Sequence, residues 1–237
     1  MTNSGPIQLS LGVSLTDDAT FENFYAVGNE QVVHTLQNLS SSTGSSSTLL
    51  WGAHGSGLSH LLQAACHTAG TAGHYAQYLP LAELLDYDPM DICEGLEDCH
   101  LLCLDGLESV CGNPEWERAI FHIYNNMRDA GNALVFAAYE SPSELAISLP
   151  DLKSRILGCV VYQLESLTDD DKKSALKMRA QARGMDMSDD VARYIMSRVS
   201  RDFHALFQLL AKIDAASLQK QRKITIPLVR ELLDESV

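Results

Sequence analysis

The chain has 237 residues, 46% hydrophobic and 20% charged, with a formal net charge of −14; that length suits one large domain or two unequal ones sharing a core. The acidic balance argues against strong direct binding of duplex DNA, which needs clustered Lys and Arg. No apolar run reaches about 18 residues, so no membrane span is expected.

The opening residues, MTNSGPIQLSLGV, carry no basic region ahead of a long apolar stretch. No signal peptide is expected, therefore, and a cytoplasmic location is. None of the six cysteines stands in a C-x-x-C pair; Cys99 and Cys103 have three residues between them, with no second pair or His pair to complete a zinc site. Reduced thiols are the reading that fits.

Residues 1–20 read as a tail with one alternating apolar patch, Ile7, Leu9, Leu11 and Val13. An amphipathic helix is predicted over 27–39, and the SSSTGSSS stretch at 40–47 is a loop by composition. Residues 48–51 make a short buried strand that runs into glycines at 52, 55 and 57, and a helix follows from about Leu58 to Gly70. A second strand is expected at 74–79, with helical segments at 80–86 and 89–97. Residues 101–105 are a continuous apolar run ending in an acid, the pattern of a central parallel strand covered on both faces. A helix over 114–130 has Pro114 in its first turn and Gly131 as its stop. A strand at 133–138, a short helix at 150–157 and a strand at 159–164 complete the alternation.

Strands alternating with helices predict an α/β fold, a five-stranded parallel sheet with helices on both faces. From residue 166 the pattern becomes helical throughout. Thr168-Asp169-Asp170-Asp171 is a capping box for a helix ending at Gly184, and Ser188 caps a second helix to about Val199. A third spans 201–220, and a fourth starts at Thr225 with Pro227 in its first turn. The expected organisation is a tail at 1–20, an α/β domain at 21–165 and a helical domain at 166–237.

Gly52-Ala-His-Gly55-Ser56-Gly57-Leu58-Ser59 follows the phosphate-loop pattern G-x-x-x-x-G-K-[ST] except at its lysine, which is Leu58. Glycines let backbone N–H groups turn inward around a phosphate, and the helix N-terminus adds partial positive charge. Ser59 stands where a hydroxyl reaches a magnesium ion. The alternative is an ordinary glycine-rich strand-to-helix turn. Without lysine, fast hydrolysis in this site is not expected. His54 and His60 are nearby; His60 either touches a phosphate or lies on the helix surface. Asp105, at the end of its strand, is placed to hold magnesium, and Glu108 sits where a catalytic base would; an unremarkable acid in a strand-to-loop turn is the other reading.

These segments, together with Phe21-Glu-Asn-Phe24-Tyr25 and Pro150-Asp-Leu-Lys-Ser-Arg155, resemble the AAA+ core of the DnaA family of bacterial replication initiators. The helical region with Ser200-Arg201-Asp202-Phe203 resembles that family's lid. The initiator's C-terminal helix-turn-helix domain has no counterpart in the sequence, a trait of short family members that inactivate the initiator. The resemblance implies Phe24 and Tyr25 near the nucleotide base, Arg155 as an arginine finger reaching into a neighbour's site, and Arg201 as a sensor touching the phosphates from the lid. From the residues alone, Arg155 is a cation at a helix C-terminus and Arg201 a solvated residue. Gln8, Leu9 and Leu11 resemble the short peptide that docks on the β subunit of DNA polymerase III, the sliding clamp; a disordered tail or an edge strand is the plain alternative.

The resemblance thus implies a regulator that holds ADP or another nucleoside diphosphate, with Mg2+ where Ser59 and Asp105 meet, and stimulates ATP hydrolysis by DnaA from the clamp. An arginine finger also implies a subunit interface, of which a homodimer is one form. A self-sufficient ATPase of the helicase-loader type and a nucleotide-independent adaptor are the rival readings.

Overall fold

The structure is a computed structural model that describes residues 19–41, 44–199, 203–220 and 224–234. Gln8, Leu9, Leu11 and Arg201 lie outside the described residues. No helix among the described residues is long and apolar enough to cross a membrane.

Five strands form one parallel sheet: β1 (Ser46–Trp51), β2 (Ala76–Pro80), β3 (Leu101–Asp105), β4 (Ala133–Ala138) and β5 (Val160–Gln163), in the order β2-β3-β4-β1-β5. Because β1 lies between β4 and β5, the chain leaves it in one direction for β2 and returns to its other side for β5. Such a switch point opens a crevice at the carboxyl ends of the strands, and residues 52–57 emerge there.

Alternate strand residues serve the two faces. Leu49, Leu102, Leu104, Leu134 and Phe136 join a core with α3 (Pro89–Cys93), α4 (Pro114–Ala130) and α5 (Pro150–Leu157), centred on Trp116, Ile120 and Leu152. Leu50, Leu101, Cys103, Val135 and Ala137 face the other way, against Leu36 of α1 (Glu30–Ser41) and Leu58, Leu61 and Leu62 of α2 (Leu58–Thr71). Burial on both sides explains why β3 and β4 read as unbroken apolar runs.

Helices α6 (Asp169–Ala182), α7 (Asp189–Arg198), α8 (Phe203–Lys220) and α9 (Ile226–Asp234) enclose a separate core of Leu176, Ile195, Leu206, Leu210, Ile213 and Val229. The capping box at Thr168 is formed with Asp171, and the Ser188 hydroxyl accepts the Val191 N–H. Asn29, on the loop before α1, is buried and reads the backbone where sheet passes to lid. The Glu165 N–H donates to its Oδ1 at 2.9 Å, and its Nδ2 donates to the Glu165 carbonyl at 3.2 Å.

Three expectations change. Residues 80–86 form only a single turn, Leu81–Glu83, and the 89–97 helix breaks into α3 and a turn at Leu96–Asp98 because Gly95 sits at φ +77°. Strand β5, a point on which the sequence carries no expectation, is an edge that pairs among the described residues only with β1, and Val160 on it is 53% exposed despite its apolar character. Strand β1 begins two residues early, pairing Ser46 and Ser47 with Ala133 and Leu134.

Candidate functional site

The loop after β1 has the backbone of an anion cradle. Its entry is tied to the sheet by the Gly52 N–H, which donates to the Ala138 carbonyl. Gly55 and Gly57 adopt φ of 78° and 98°. Gly57 must be glycine on a second count: a Cβ there would lie 2.6 Å from Cε2 of Phe24. It is the N-cap residue of α2 and offers no side-chain cap, so the first N–H groups of α2 lack an intrahelical acceptor. The Ser56 hydroxyl is buried without a protein partner. An orphaned hydroxyl beside free helix N–H groups fits a phosphate oxygen.

Leu58 is not merely an absent lysine. Its side chain is 2% exposed and packs among Phe21, Leu36, Leu50 and Leu61, so the helix turns it into the core. Position 58 therefore offers a phosphate only its backbone N–H, with no side-chain charge.

Ser59 and Asp105 meet across the crevice through tyrosines the sequence did not single out. The Tyr78 hydroxyl donates to Asp105 Oδ2 at 2.7 Å, and the Ser59 side chain reaches both Tyr78 and Tyr139. Burial, then the Asp105 charge, pushes the Tyr78 phenol far up; burial followed by Asp105 and Glu108 raises Tyr139. Both therefore stay neutral hydroxyl donors at physiological pH. One hydroxyl and one carboxylate are oxygen ligands of the kind magnesium takes alongside phosphate, so the donor set fits that ion. The Tyr139 ring stacks on His54 of the loop, centroids 3.6 Å apart. Glu108, a candidate base, instead accepts the Tyr139 backbone N–H at 3.1 Å, fixing the segment after β4.

His60 has a role different from either expectation. Its Nε2 donates to the Thr20 carbonyl at 2.8 Å, and its Nδ1 accepts from the Arg179 guanidinium at 2.7 Å. With both nitrogens engaged, no ring atom is left for a phosphate. Burial, reinforced by the Arg179 charge and opposed by the Thr20 carbonyl, lowers its pKa to about 4. Arg179, on lid helix α6, is itself buried, with its pKa lowered to about 10 by desolvation, and its Nε also donates to the Asn23 carbonyl. This arginine joins lid, loop and α2 at one point, and no sequence pattern marked it. Phe24 lies over Gly57 and near His60, ring centroids 5.6 Å apart; Tyr25 beside it is half-buried.

Arg155 occupies the second turn of α5. Its guanidinium stands 5.8 Å from the Tyr124 ring centroid, and among the described residues no carboxylate pairs with it. Leu157, Val160 and Val161 are exposed nearby in the sequence. The start of α5 is held by Glu117, a buried acid of α4 that accepts backbone N–H groups from Gly112, Ser148 and Leu149.

Comparison with known proteins gives consistent matches. The bacterial DnaA ATPase domain matches residues 15–163, and the lid domain of Hda matches residues 169–233. An uncharacterized Haemophilus influenzae protein is 42% identical over 228 residues, covering 96% of this chain and 98% of its own. Domain III of the Thermotoga maritima replication initiation protein DnaA superposes with a TM-score of 0.74 at 20% identity, covering 94% of this chain and 98% of that one. AMPPCP-bound DnaA from Aquifex aeolicus gives 0.68 at 22% identity, over 85% of this chain and 66% of that one. The structural likenesses establish the fold: an AAA+ sheet domain of the P-loop type with a helical lid.

Proposed function

The chain belongs to the bacterial DnaA ATPase-domain family and carries an Hda-type lid, and from that premise we propose a nucleotide-binding regulator that acts on DnaA itself. In this reading the loop at 52–59 holds ADP or another nucleoside diphosphate between sheet and lid. The N–H groups of Gly55, Gly57, Leu58 and Ser59 and the Ser56 hydroxyl face the phosphates, the Ser56 N–H being held by the Ala53 carbonyl; Phe24 and Tyr25 line the base, and Arg201 approaches from the lid. Ser59 and Asp105 would hold magnesium, which would supply neutralising charge beside the phosphates. The AMPPCP-bound state of the Aquifex aeolicus relative supports nucleotide binding.

The observation that carries the proposal is Leu58, whose burial leaves the chain's own loop without the lysine that drives phosphoryl transfer. Bound nucleotide then acts as a brace, and the catalytic arginine serves elsewhere. Arg155, unpaired with any acid among the described residues, would enter the active site of ATP-bound DnaA and stabilise the charge developing on the transferred phosphoryl group. Residues Gln8, Leu9 and Leu11 would tether the protein to the sliding clamp on DNA, a route compatible with its acidity. The outcome would be loss of ATP-bound DnaA and repression of re-initiation.

The test is ATP hydrolysis by DnaA with clamp-loaded DNA. Hydrolysis should rise with this protein and require Arg155; equal stimulation by Arg155→Ala would sink the finger assignment. A thermal-shift series with ADP, ATP and other nucleotides tests the brace, because a ligand bound only to the folded state raises the melting temperature with its concentration. No shift would favour the nucleotide-independent adaptor, and turnover by the isolated protein the self-sufficient ATPase.

A further inference from the structure

Glu117 is a buried acid satisfied almost entirely by backbone. It lies in the first turn of α4 and is 2% exposed. A carboxylate is costly to bury unless its oxygens are hydrogen-bonded, and here three N–H groups serve it. Gly112 donates to Oε1 at 2.7 Å, Leu149 to Oε2 at 2.7 Å, and Ser148 to both oxygens, at 2.9 and 3.1 Å. Two of those donors lie 31 and 32 residues away, at the start of α5.

That helix has no cap of its own. Its N-cap residue is Leu149, without a side-chain hydrogen bond, and Pro150 at the first position has no N–H. Glu117 therefore caps α5 from a neighbouring helix, and its charge also suits the positive end of the α5 dipole. The third donor, Gly112, closes the segment that begins at Asp105. In that same segment Glu108 accepts the Tyr139 N–H, at the head of the 139–149 loop leading to α5. Two carboxylates thus pin the two ends of the loop between β4 and the Arg155 helix: Glu108 lies within the stretch that starts at Asp105, and Glu117, on α4, holds the end of that stretch through the Gly112 N–H.

We propose that Glu117 is the positioning residue for Arg155: by fixing the first turn of α5 it sets where the guanidinium stands. The inference rests on the reading in which Arg155 acts in a partner's site. Arg155 lies six residues beyond Leu149, about 9 Å along the helix at 1.5 Å per residue. A change in the seating of that first turn is carried along the helix to the arginine, and a misplacement of about 1 Å at a reacting group costs up to about 100-fold in rate.

The experiment measures DnaA ATP hydrolysis, with clamp-loaded DNA, against the concentration of this protein. It compares wild type, Arg155→Ala, Glu117→Gln and a lid-core control, Val229→Ala, chosen because it lowers stability far from α5. Glu117→Gln should fold and keep its ADP-induced thermal shift. Its maximal stimulated rate should fall about 10- to 100-fold while the half-saturating concentration stays that of wild type. A merely structural role predicts the behaviour of Val229→Ala, whose maximum is retained once folded protein is counted. If Glu117→Gln matches that control, or changes only half-saturation, the positioning role is overturned. Should Glu117→Gln fail to fold, Glu117→Asp decides: it keeps the charge but is too short to reach all three N–H groups, so full stimulation by it overturns the proposal and a lowered maximum supports it. Arg155→Ala with undiminished stimulation sinks the trans-acting reading itself, a result distinct from failure at Glu117.

Discussion

The phosphate loop and the Arg155 helix handle charge in opposite ways. At residues 52–59 backbone N–H groups, two left-handed glycines and the orphaned Ser56 hydroxyl form a place for an anion, while the position that would hold a cation is turned into the core as Leu58. At α5 the arrangement is reversed: the cation is presented on a helix surface over Tyr124, and no anion of the described chain answers it. The contrast teaches that holding a nucleotide and accelerating its hydrolysis are separable, since the first needs backbone geometry and the second needs charge at the transferring phosphate.

The sharpest way to break the comparison is Arg155→Ala. Stimulated hydrolysis by DnaA is expected to fall about 1000-fold or more, with the melting temperature nearly unchanged because a half-exposed cation–π contact contributes only about 0.5–1 kcal/mol. Leu58→Lys tests the other half. Restoring the lysine buries an ammonium among Phe21, Leu36 and Leu50, so urea denaturation should show a loss of about 3 kcal/mol or more and no gain in turnover. A stable, hydrolysing Leu58→Lys protein would contradict the claim that this position belongs to the core.

The His60–Arg179 junction sharpens the comparison through pH. The unfolded chain binds the His60 proton near pH 6.5, the folded chain near pH 4. As pH falls through that window the unfolded state takes up the proton first, so stability declines; the full effect is about 3 kcal/mol. Melting curves from pH 7 to pH 4 should show it, and His60→Gln should flatten the dependence. The smallest effect is expected from Gly57→Ala, about 1–2 kcal/mol for a left-handed alanine plus displacement of Phe24. Its ADP-induced thermal shift should shrink more than that of Arg155→Ala.

Much of this was legible in the sequence because it is local. The buried strands announce themselves as apolar runs, the helix starts as Thr168, Ser188 and Pro114, and the loop as three glycines before a helix. What escaped is set by sheet order and long-range approach. The strand at 159–164 could be read, but not that β5 would be an edge with Val160 and Val161 exposed. Tyr78, Tyr139 and Arg179 carry no local signal, and Arg179 meets His60 across 119 residues of sequence. Leu58 could be read as a lysine lost, but its place in the core follows only from where α1 and β1 pack.

The paired hydrogen bonds between Asn29 and the Glu165 backbone have a consequence for the order of folding. They join positions 136 residues apart. The entropy of closing such a loop grows only slowly with its length, but the contact has no acceptor geometry until β5 has docked on β1 and turned the chain toward the lid. Contacts of such separation form late and slow the search for the native state. The junction between sheet and lid should therefore be sealed near the end of folding, and in native-state hydrogen exchange the Glu165 amide should open with the lid rather than with the central strands.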